Sequence, residues 1–272
     1  MLQRMEQTHT QKNLRECLAD ESCPVCHGTG WEIVEDGGQG TGRECSCGLR
    51  QRQIMNNRLS FACIPEAFKD VKIENFNVNA YENENSRNKA ATALNAIRYW
   101  LNDFGSMHER GMGLYLYSEA KGSGKTRMAA SIANELMHEK HMQVKFATSL
   151  QILNEIKASW DARNKEECES ERTLLDHLAQ AAILIIDDFG IEQAKDWIVE
   201  RFYQIINSRY VDKRITIFTS NARLDMLRYD ARITNRIKEM SFQIPFPEES
   251  VRDSIAKQNM NELVQGIKSE RK

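Results

Sequence analysis

The sequence lacks a surplus of charge of either sign. Its 272 residues carry 37 Lys and Arg against 39 Asp and Glu, which leaves a net charge of −2. This balance excludes a protein that coats nucleic acid with a uniformly basic surface, although a local basic groove is compatible with it. Hydrophobic residues make up 41% of the chain, which is typical of a soluble globular protein with a buried core.

Long hydrophobic runs are also missing. The longest apolar stretch, residues 181–186, is far shorter than the roughly 18 residues that a membrane-spanning helix needs. Residues 1–20 are polar with scattered charges and contain no apolar segment, so we expect no secretory signal. We therefore expect a reducing, cytoplasmic environment.

Cysteines are few, and their odd number, seven, argues against a framework of disulfides in such an environment. Four of them form two close pairs: Cys23 and Cys26, then, after eighteen residues, Cys45 and Cys47. Zn²⁺ prefers four soft ligands in a tetrahedron, and two such pairs joined by a glycine-rich turn at residues 37–42 can supply them. The spacing predicts a structural zinc site, with four free thiols or a labile redox pair as the alternatives.

A change of pattern near Pro65 predicts a domain boundary. Residues 1–60 are predicted to form the zinc module with a connecting helix over residues 49–59. In residues 61–272, strand-like and helix-like segments alternate, which is typical of an α/β domain. We therefore predict a parallel sheet flanked by helices, with a small N-terminal module.

A glycine-rich loop follows the first strand-like segment of the predicted α/β domain. Residues 114–117 are apolar and aromatic, and residues 127–139 have the composition of a helix. A loop in this context is typical of a P-loop, whose backbone amides point at phosphates. The predicted nucleotide-binding residues of the loop are Glu119, Ala120, Lys121, Gly122, Ser123, Gly124, Lys125 and Thr126.

We predict individual roles or orientations for three residues of this loop. Lys125 is predicted to neutralise the β- and γ-phosphates, and Thr126 to offer its hydroxyl to Mg²⁺. Glu119 stands where the usual pattern has its first glycine. We expect the Glu119 side chain to point away from the phosphates.

Two adjacent acids end the next prominent strand-like segment. Residues 183–186 form a continuous apolar run, and Asp187 and Asp188 follow it, with Asp187 62 residues beyond Lys125. Asp187 is predicted to hold Mg²⁺ through water, and Asp188 to polarise the attacking water. The alternative is a pair of turn acids that cap the next helix.

Three more polar residues complete the predicted site. Asn221 ends a strand-like segment and can orient water near the γ-phosphate. Arg236 shares a helix face with Arg232 and is predicted to stabilise transition-state charge in a neighbouring subunit, with a solvated arginine as the alternative. Arg252, on a helix predicted over residues 248–267, is a candidate to sense nucleotide within its own subunit.

Four segments together resemble the AAA+ ATPases of the replicative helicase loader group. They are Gly-Ser-Gly-Lys-Thr at residues 122–126, Ile-Leu-Ile-Ile-Asp-Asp-Phe-Gly at 183–190, Phe-Thr-Ser-Asn at 218–221 and Arg-Ile-x-x-Arg-Ile at 232–237. The group includes the bacterial loaders DnaC and DnaI and their phage counterparts, and the transposition ATPase IstB is a relative. The resemblance covers about residues 61–265.

The resemblance implies an AAA+ P-loop NTPase fold and assigns roles to the motif residues. Lys125 and Thr126 would be Walker A, Asp187 and Asp188 Walker B, Asn221 sensor 1, Arg236 the arginine finger and Arg252 sensor 2. Walker B more often ends in Asp-Glu, so the shorter Asp188 implies weak intrinsic ATP turnover.

The function implied is ATP-dependent loading of a hexameric replicative helicase onto single-stranded DNA in replication initiation, with Mg²⁺ and Zn²⁺ as cofactors. The zinc module would contact the helicase, and the ATPase domain would self-associate. Residues 149–180 would include a helix that faces single-stranded DNA, or else a mobile charged loop. Two other functions stay open: an IstB-like ATPase that binds duplex DNA and recruits a transposase, and an adaptor locked to its nucleotide.

Overall fold

The computed structural model describes residues 23–36, 39–47, 64–160, 171–192 and 195–270. The chain divides into two units, Met1–Ser60 and Phe61–Lys272. The connecting helix predicted over residues 49–59 and the charged residues 161–170 lie outside the described residues. Within the described part, no helix is long and apolar enough to cross a membrane.

The N-terminal unit contains an antiparallel pair of strands, β1 (Trp31–Asp36) and β2 (Gln39–Glu44), with Trp31 opposite Glu44. Gly40 and Gly42 belong to β2 rather than to the predicted turn, because pairing with β1 overrides the low strand propensity of glycine. The hairpin places the segment before β1 beside the segment after β2. The backbone amide of Cys45 accordingly donates to the Gly30 carbonyl at 2.9 Å.

The second unit alternates strands with helices. Its described strands are β3 (Gly113–Tyr117), β4 (Val144–Thr148), β5 (Ile183–Asp187), β6 (Ile215–Ser220) and β7 (Ser241–Pro245). Its described helices are α1 (Glu84–Asn102), α2 (Phe104–Arg110), α3 (Lys125–His138), α4 (Ser149–Trp160), α5 (Glu171–Gln180), α6 (Asp196–Val211), α7 (Ala231–Met240) and α8 (Val251–Glu270). The five strands form one parallel sheet in the order β4-β5-β6-β3-β7.

The central strands of this sheet lie in the core. Every residue of β5 and of β6 is buried, as expected of parallel strands that are covered on both faces. Apolar side chains of β5 and β6 pack in one cluster with residues of α4, α5, α6 and α7. Phe189, just after β5, contacts Phe202 of α6 with ring centroids 5.3 Å apart. This packing fixes the end of β5 relative to the helices around it.

Strand β7 is an element of the sheet that the sequence did not predict. It lies at an edge of the sheet, where only Ser241 and Ile244 of its five residues are buried and Phe242 is 40% exposed. An edge strand with so few buried residues does not need the run of apolar residues by which a buried strand is recognised in a sequence. Pro245 ends the strand, a position that proline tolerates at a sheet edge. The next residue, Phe246, donates its amide to the Tyr117 carbonyl at 2.7 Å. The chain after β7 therefore runs close to the end of β3.

The parallel arrangement brings three loops to one edge of the sheet. Tyr117 of β3 lies opposite Ser220 of β6, and Ile186 of β5 lies opposite Phe218 of β6. Because parallel strands end at the same edge, the loops after β3, β5 and β6 are neighbours. The predicted site residues of all three loops are thus within reach of one another.

Candidate functional site

The loop between β3 and α3 has the backbone shape of a phosphate cradle. Gly122 and Gly124 adopt φ values of +78° and +92°, which side-chain-bearing residues rarely adopt. A Cβ on Gly124 would lie 3.2 Å from the Tyr81 hydroxyl. Helix α3 begins directly after Gly124, at Lys125, so its unpaired N-terminal amides face the loop. The loop and this helix end border a cavity of about 870 Å³.

The Lys125 ammonium lies inside the loop. Its Nζ donates to the carbonyls of Ser118 and Ala120, at 3.2 and 3.0 Å, and to the Ser123 hydroxyl at 3.1 Å. Burial lowers the pKa of Lys125, while Asp188 and other nearby acids oppose that shift. A cation held in this position can neutralise phosphate groups that enter the cavity.

Thr126 and Asp187 meet at the end of β5. The Thr126 hydroxyl donates to Asp187 Oδ1 at 3.0 Å, and the Thr219 hydroxyl donates to the same atom at 2.5 Å. Asp187 is 4% exposed, and this burial, with the adjacent Asp188, raises its pKa. A hydroxyl and a carboxylate side by side are hard oxygen donors of the kind that Mg²⁺ prefers.

Asp187→Asn is expected to stabilise the fold while it removes the effect of Mg²⁺ on ATP binding. Because the pKa of Asp187 is raised, its ionised form costs stability; this cost is absent below the ordinary aspartate pKa and appears as the pH rises through the raised value. Asparagine keeps an oxygen for Thr126 and Thr219 without the charge. Thermal unfolding at neutral pH should give a Tm a few degrees higher.

The matched control for this variant is Asp176→Asn, which removes the charge of an exposed acid on α5. Its Tm and its Mg²⁺ dependence should both equal those of the unmodified chain. A lower Tm for Asp187→Asn, or an unchanged Mg²⁺ effect, would contradict the role assigned to this buried carboxylate.

Asp188 and Asn221 line the same cavity as the glycine loop. Asp188 has a φ of +54°, a left-handed conformation that aspartate tolerates better than most residues. Its amide donates to the Thr219 hydroxyl at 2.9 Å, which fixes the turn after β5 to β6. The cavity is therefore bordered by an acid from one strand end and an amide side chain from the next.

Arg252 borders the cavity from the start of α8. The Val251 amide donates to the Gly122 carbonyl at 3.0 Å, and a Cβ on Gly122 would lie 3.1 Å from Arg252 Cγ. Helix α8 begins at Val251 and not at the predicted residue 248. Before the helix, the Glu249 and Glu248 carboxylates accept hydrogen bonds from the backbone amides of Glu82 and Ala120.

Four of the residues predicted for the nucleotide site do not line this cavity: Glu119, Ala120, Asp187 and Arg236. Asp187 is connected to the cavity wall through its hydrogen bond with Thr126. Glu119 and Ala120 are absent from its wall, although Ala120 contributes the carbonyl that accepts from Lys125. Arg236 lies on α7, where its Nε donates to Asn207 Oδ1 at 2.8 Å and its guanidinium carbon is 5.0 Å from the centre of the Tyr203 ring. In this single chain, Arg236 is packed against α6 rather than aimed at the nucleotide cavity.

One wall of the cavity was not predicted from the sequence. Phe76 and Tyr81 line it, and the Tyr81 hydroxyl donates to the Ser123 carbonyl at 2.8 Å. These residues precede α1, in a segment whose only regular structure is two short 3₁₀ turns. No motif marks such a segment, so no sequence signal was available for it.

In the N-terminal unit, the four paired cysteines form one cluster. The Sγ atoms of Cys23 and Cys45 lie 3.7 Å apart and those of Cys26 and Cys47 3.6 Å apart, and all four lie within 4.8 Å of one another. Four thiolates around one Zn²⁺, each at about 2.3 Å, have S–S separations of about 3.8 Å. The spacings fit a tetrahedral metal site and are too long for disulfides.

Comparisons with known proteins find one family model and several relatives to which this chain is similar. Residues 113–237 match the model of the IstB-like ATP binding protein family. The chain is 23% identical over 224 residues to the phage-like element PBSX protein XkdC of Bacillus subtilis, covering 80% of this chain and 79% of XkdC. It is 30% identical over 128 residues to the replicative helicase loader DnaI of the same species, covering 47% of this chain and 39% of DnaI.

A solved structure agrees with these sequence matches. The crystal structure of the DnaC helicase loader matches with a TM-score of 0.53 and 21% identity, covering 67% of this chain and 99% of that one. At this identity the likeness shows the fold. Residues 113–237 therefore resemble the IstB-like ATP binding proteins, and the match to DnaI confirms the resemblance of the chain to the helicase loader group. The solved structure confirms the fold.

Proposed function

We propose that this protein is an ATP-dependent loader that delivers a hexameric replicative helicase to single-stranded DNA. The observation that carries the proposal is the meeting of Lys125, Thr126 and Asp187 at one end of the sheet, beside a cavity that Lys125, Thr126, Asp188 and Asn221 line. The similarity to DnaI supports the loader over other uses of the same fold. That similarity spans less than half of either chain, so the partner and the substrate are part of the proposal.

ATP is bound by the loop amides and by Lys125, which neutralises the β- and γ-phosphates. Thr126 and Asp187 would hold Mg²⁺, which would supply positive charge beside the phosphates. Asp188 accepts a hydrogen bond from the attacking water, and Asn221 orients it. An aspartate reaches one methylene less far than a glutamate, so we expect slow intrinsic turnover.

Self-association completes the ATP site in this proposal. Arg236 is absent from the cavity of its own chain, so it can serve a site only in a neighbouring subunit. Asn207 and the Tyr203 ring hold its guanidinium in place, which lowers the entropy lost when it docks. Arg252 contacts the glycine loop of its own subunit and responds there to bound nucleotide.

The N-terminal unit supplies the helicase contact. Cys23, Cys26, Cys45 and Cys47 bind one structural Zn²⁺, and four thiolate ligands leave no open coordination position for catalysis. The metal is needed because a two-stranded hairpin of this length has too little core to be stable by itself. The folded module then presents a fixed surface to the helicase.

Co-elution tests the loader proposal. The full-length chain, mixed with a hexameric replicative helicase and MgATP, should elute from a size-exclusion column as one complex. Lys125→Ala should keep this contact but fail to place the helicase on protein-coated single-stranded DNA, measured as unwinding of an adjacent duplex. Absence of any complex with the helicase would contradict the proposal.

A transposition ATPase is the second candidate, because residues 113–237 match the IstB-like family. It predicts tight, ATP-dependent binding to duplex DNA and no helicase contact. A shift of duplex DNA in a gel at nanomolar protein, together with no co-elution, would favour it over the loader.

A further inference from the structure

A short segment after β7 is fastened to the glycine loop. We call residues 246–251 the C-terminal strap. At its start, the Phe246 amide donates to the Tyr117 carbonyl at 2.7 Å; at its end, the Val251 amide donates to the Gly122 carbonyl at 3.0 Å. The strap therefore runs beside the whole first half of the loop, from the last residue of β3 to Gly122.

Glu248 contacts the loop from the middle of the strap. Its Oε2 accepts from the Ala120 amide at 2.9 Å and lies 3.1 Å from the hydroxyl of Ser118, which is fully buried. That hydroxyl also donates to the Pro247 carbonyl at 2.7 Å. The Glu248 carboxylate thus holds the first turn after β3 at the Ala120 amide, and the Pro247 carbonyl holds the same turn at the Ser118 hydroxyl.

The same turn also holds the lysine of the site. The carbonyls of Ser118 and Ala120 accept from Lys125 Nζ at 3.2 and 3.0 Å. Ala120 is therefore fixed on its carbonyl side by Lys125 and on its amide side by Glu248 at 2.9 Å, with the Ser118 hydroxyl oxygen as a second, longer acceptor at 3.2 Å. A charged acceptor for a backbone amide forms one of the stronger hydrogen bonds in proteins.

The loop has a particular need for such an anchor. Glu119 occupies the position at which the P-loop pattern has its first glycine, so the chain leaves β3 without that residue. The following glycines, Gly122 and Gly124, leave the loop many conformations in the absence of contacts. An external hydrogen-bond acceptor selects the one in which Lys125 faces the cavity.

We propose that Glu248 is a positioning residue of the nucleotide site, which holds residues 118–120 and, through them, Lys125. This inference rests on the proposed binding of ATP. Glu248 is not part of the cavity wall, so it acts through the loop backbone and not by contact with nucleotide. Without Glu248, the loop becomes ordered only when nucleotide binds, and the free energy of this ordering weakens nucleotide binding. The groups that carry out hydrolysis are unchanged.

This role is tested by comparing MgATP binding and hydrolysis in the unmodified chain, Glu248→Ala and Glu248→Gln. For Glu248→Ala we expect the Kd for MgATP and the KM to rise about fivefold, with kcat changed by less than about twofold. Glu248→Gln keeps an oxygen that accepts from the Ala120 amide, so its Kd should lie within about twofold of the unmodified value. Asp253→Asn, which removes an exposed charge from the first turn of α8, is the matched control and should change neither constant.

The proposal would be overturned if Glu248→Ala bound MgATP with the affinity of the unmodified chain. It would also be overturned if Glu248→Gln lost as much affinity as Glu248→Ala. If Glu248→Ala fails to fold, Glu248→Asp replaces it, because its carboxylate is one methylene shorter. Faster hydrogen exchange at the Ala120 amide than in the unmodified chain supports the anchor, and an equal rate, with the Ser118 hydroxyl oxygen as the remaining acceptor, overturns it. If the unmodified chain binds no ATP, the proposed function is overturned as well. If the unmodified chain binds ATP and the Glu248 variants bind it with the same affinity, only the role of Glu248 is overturned.

Discussion

Lys125→Ala is expected to weaken the binding of MgATP at least about a hundredfold, which corresponds to about 3 kcal/mol. Lys125 is 5% exposed and is held by three oxygens of its own loop, so its charge is fixed where phosphates would lie. Removing it leaves the phosphates without their buried counter-charge. Fluorescence titration with a labelled ATP analogue measures the effect.

The control is Lys121→Ala in the same loop. Lys121 is exposed, so its charge is screened by water and its loss should weaken binding by less than about threefold. Similar losses in the two variants would mean that the loop attracts ATP only through its overall charge. That result would contradict a specific phosphate-binding site at Lys125.

Cys26→Ser is expected to unfold the N-terminal unit and to release its metal. Structural Zn²⁺ contributes on the order of 10 kcal/mol or more to the folding of small modules, and Cys26 is one of the two buried cysteines of the cluster. The unmodified protein should contain one zinc per chain by elemental analysis. The variant should contain well under half of that, and limited proteolysis should cleave it within residues 23–47.

Cys168→Ser is the control for the loss of a thiol. Cys168 has no cysteine neighbour in the sequence, so its replacement should leave the zinc content at one per chain. A full complement of zinc in Cys26→Ser would contradict the four-cysteine site. Resistance of residues 23–47 to protease after treatment with a chelator would contradict the dependence of this unit on metal.

Both of these sites could be anticipated because each is encoded in short, contiguous motifs. Lys125 and Thr126 follow a glycine loop, and Asp187 ends an apolar run, so local pattern alone places each on its strand or helix. Parallel strand pairing then brings the loops together, since such strands share the edge at which they end. The cysteine pairs likewise predict their own clustering, through the hairpin that separates them.

The parts that escaped prediction depend on contacts between distant segments. Tyr81 reaches Ser123 across 42 positions, and Glu248 reaches Ala120 across 128 positions. Neither belongs to a motif, and a lone tyrosine or glutamate in a turn is too common to signal a role. Strand β7 was missed for a related reason, because an edge strand with few buried residues lacks the apolar run that marks β5 and β6.

The role of Arg236 depends on contacts between chains and not on contacts within one chain. The sequence predicts an arginine for a neighbouring subunit, and the structure of one chain shows where that arginine starts, packed on Tyr203 and Asn207. Its role depends on an assembly, in which α7 must meet the cavity of another copy.

The most direct test of the whole account is calorimetric titration of the full-length chain with MgATP. The geometry of Lys125, Thr126 and Asp187 predicts uptake of one nucleotide per chain, weakened when Mg²⁺ is withheld. No heat of binding, in protein whose thermal unfolding shows a cooperative transition, would contradict a nucleotide site at this end of the sheet.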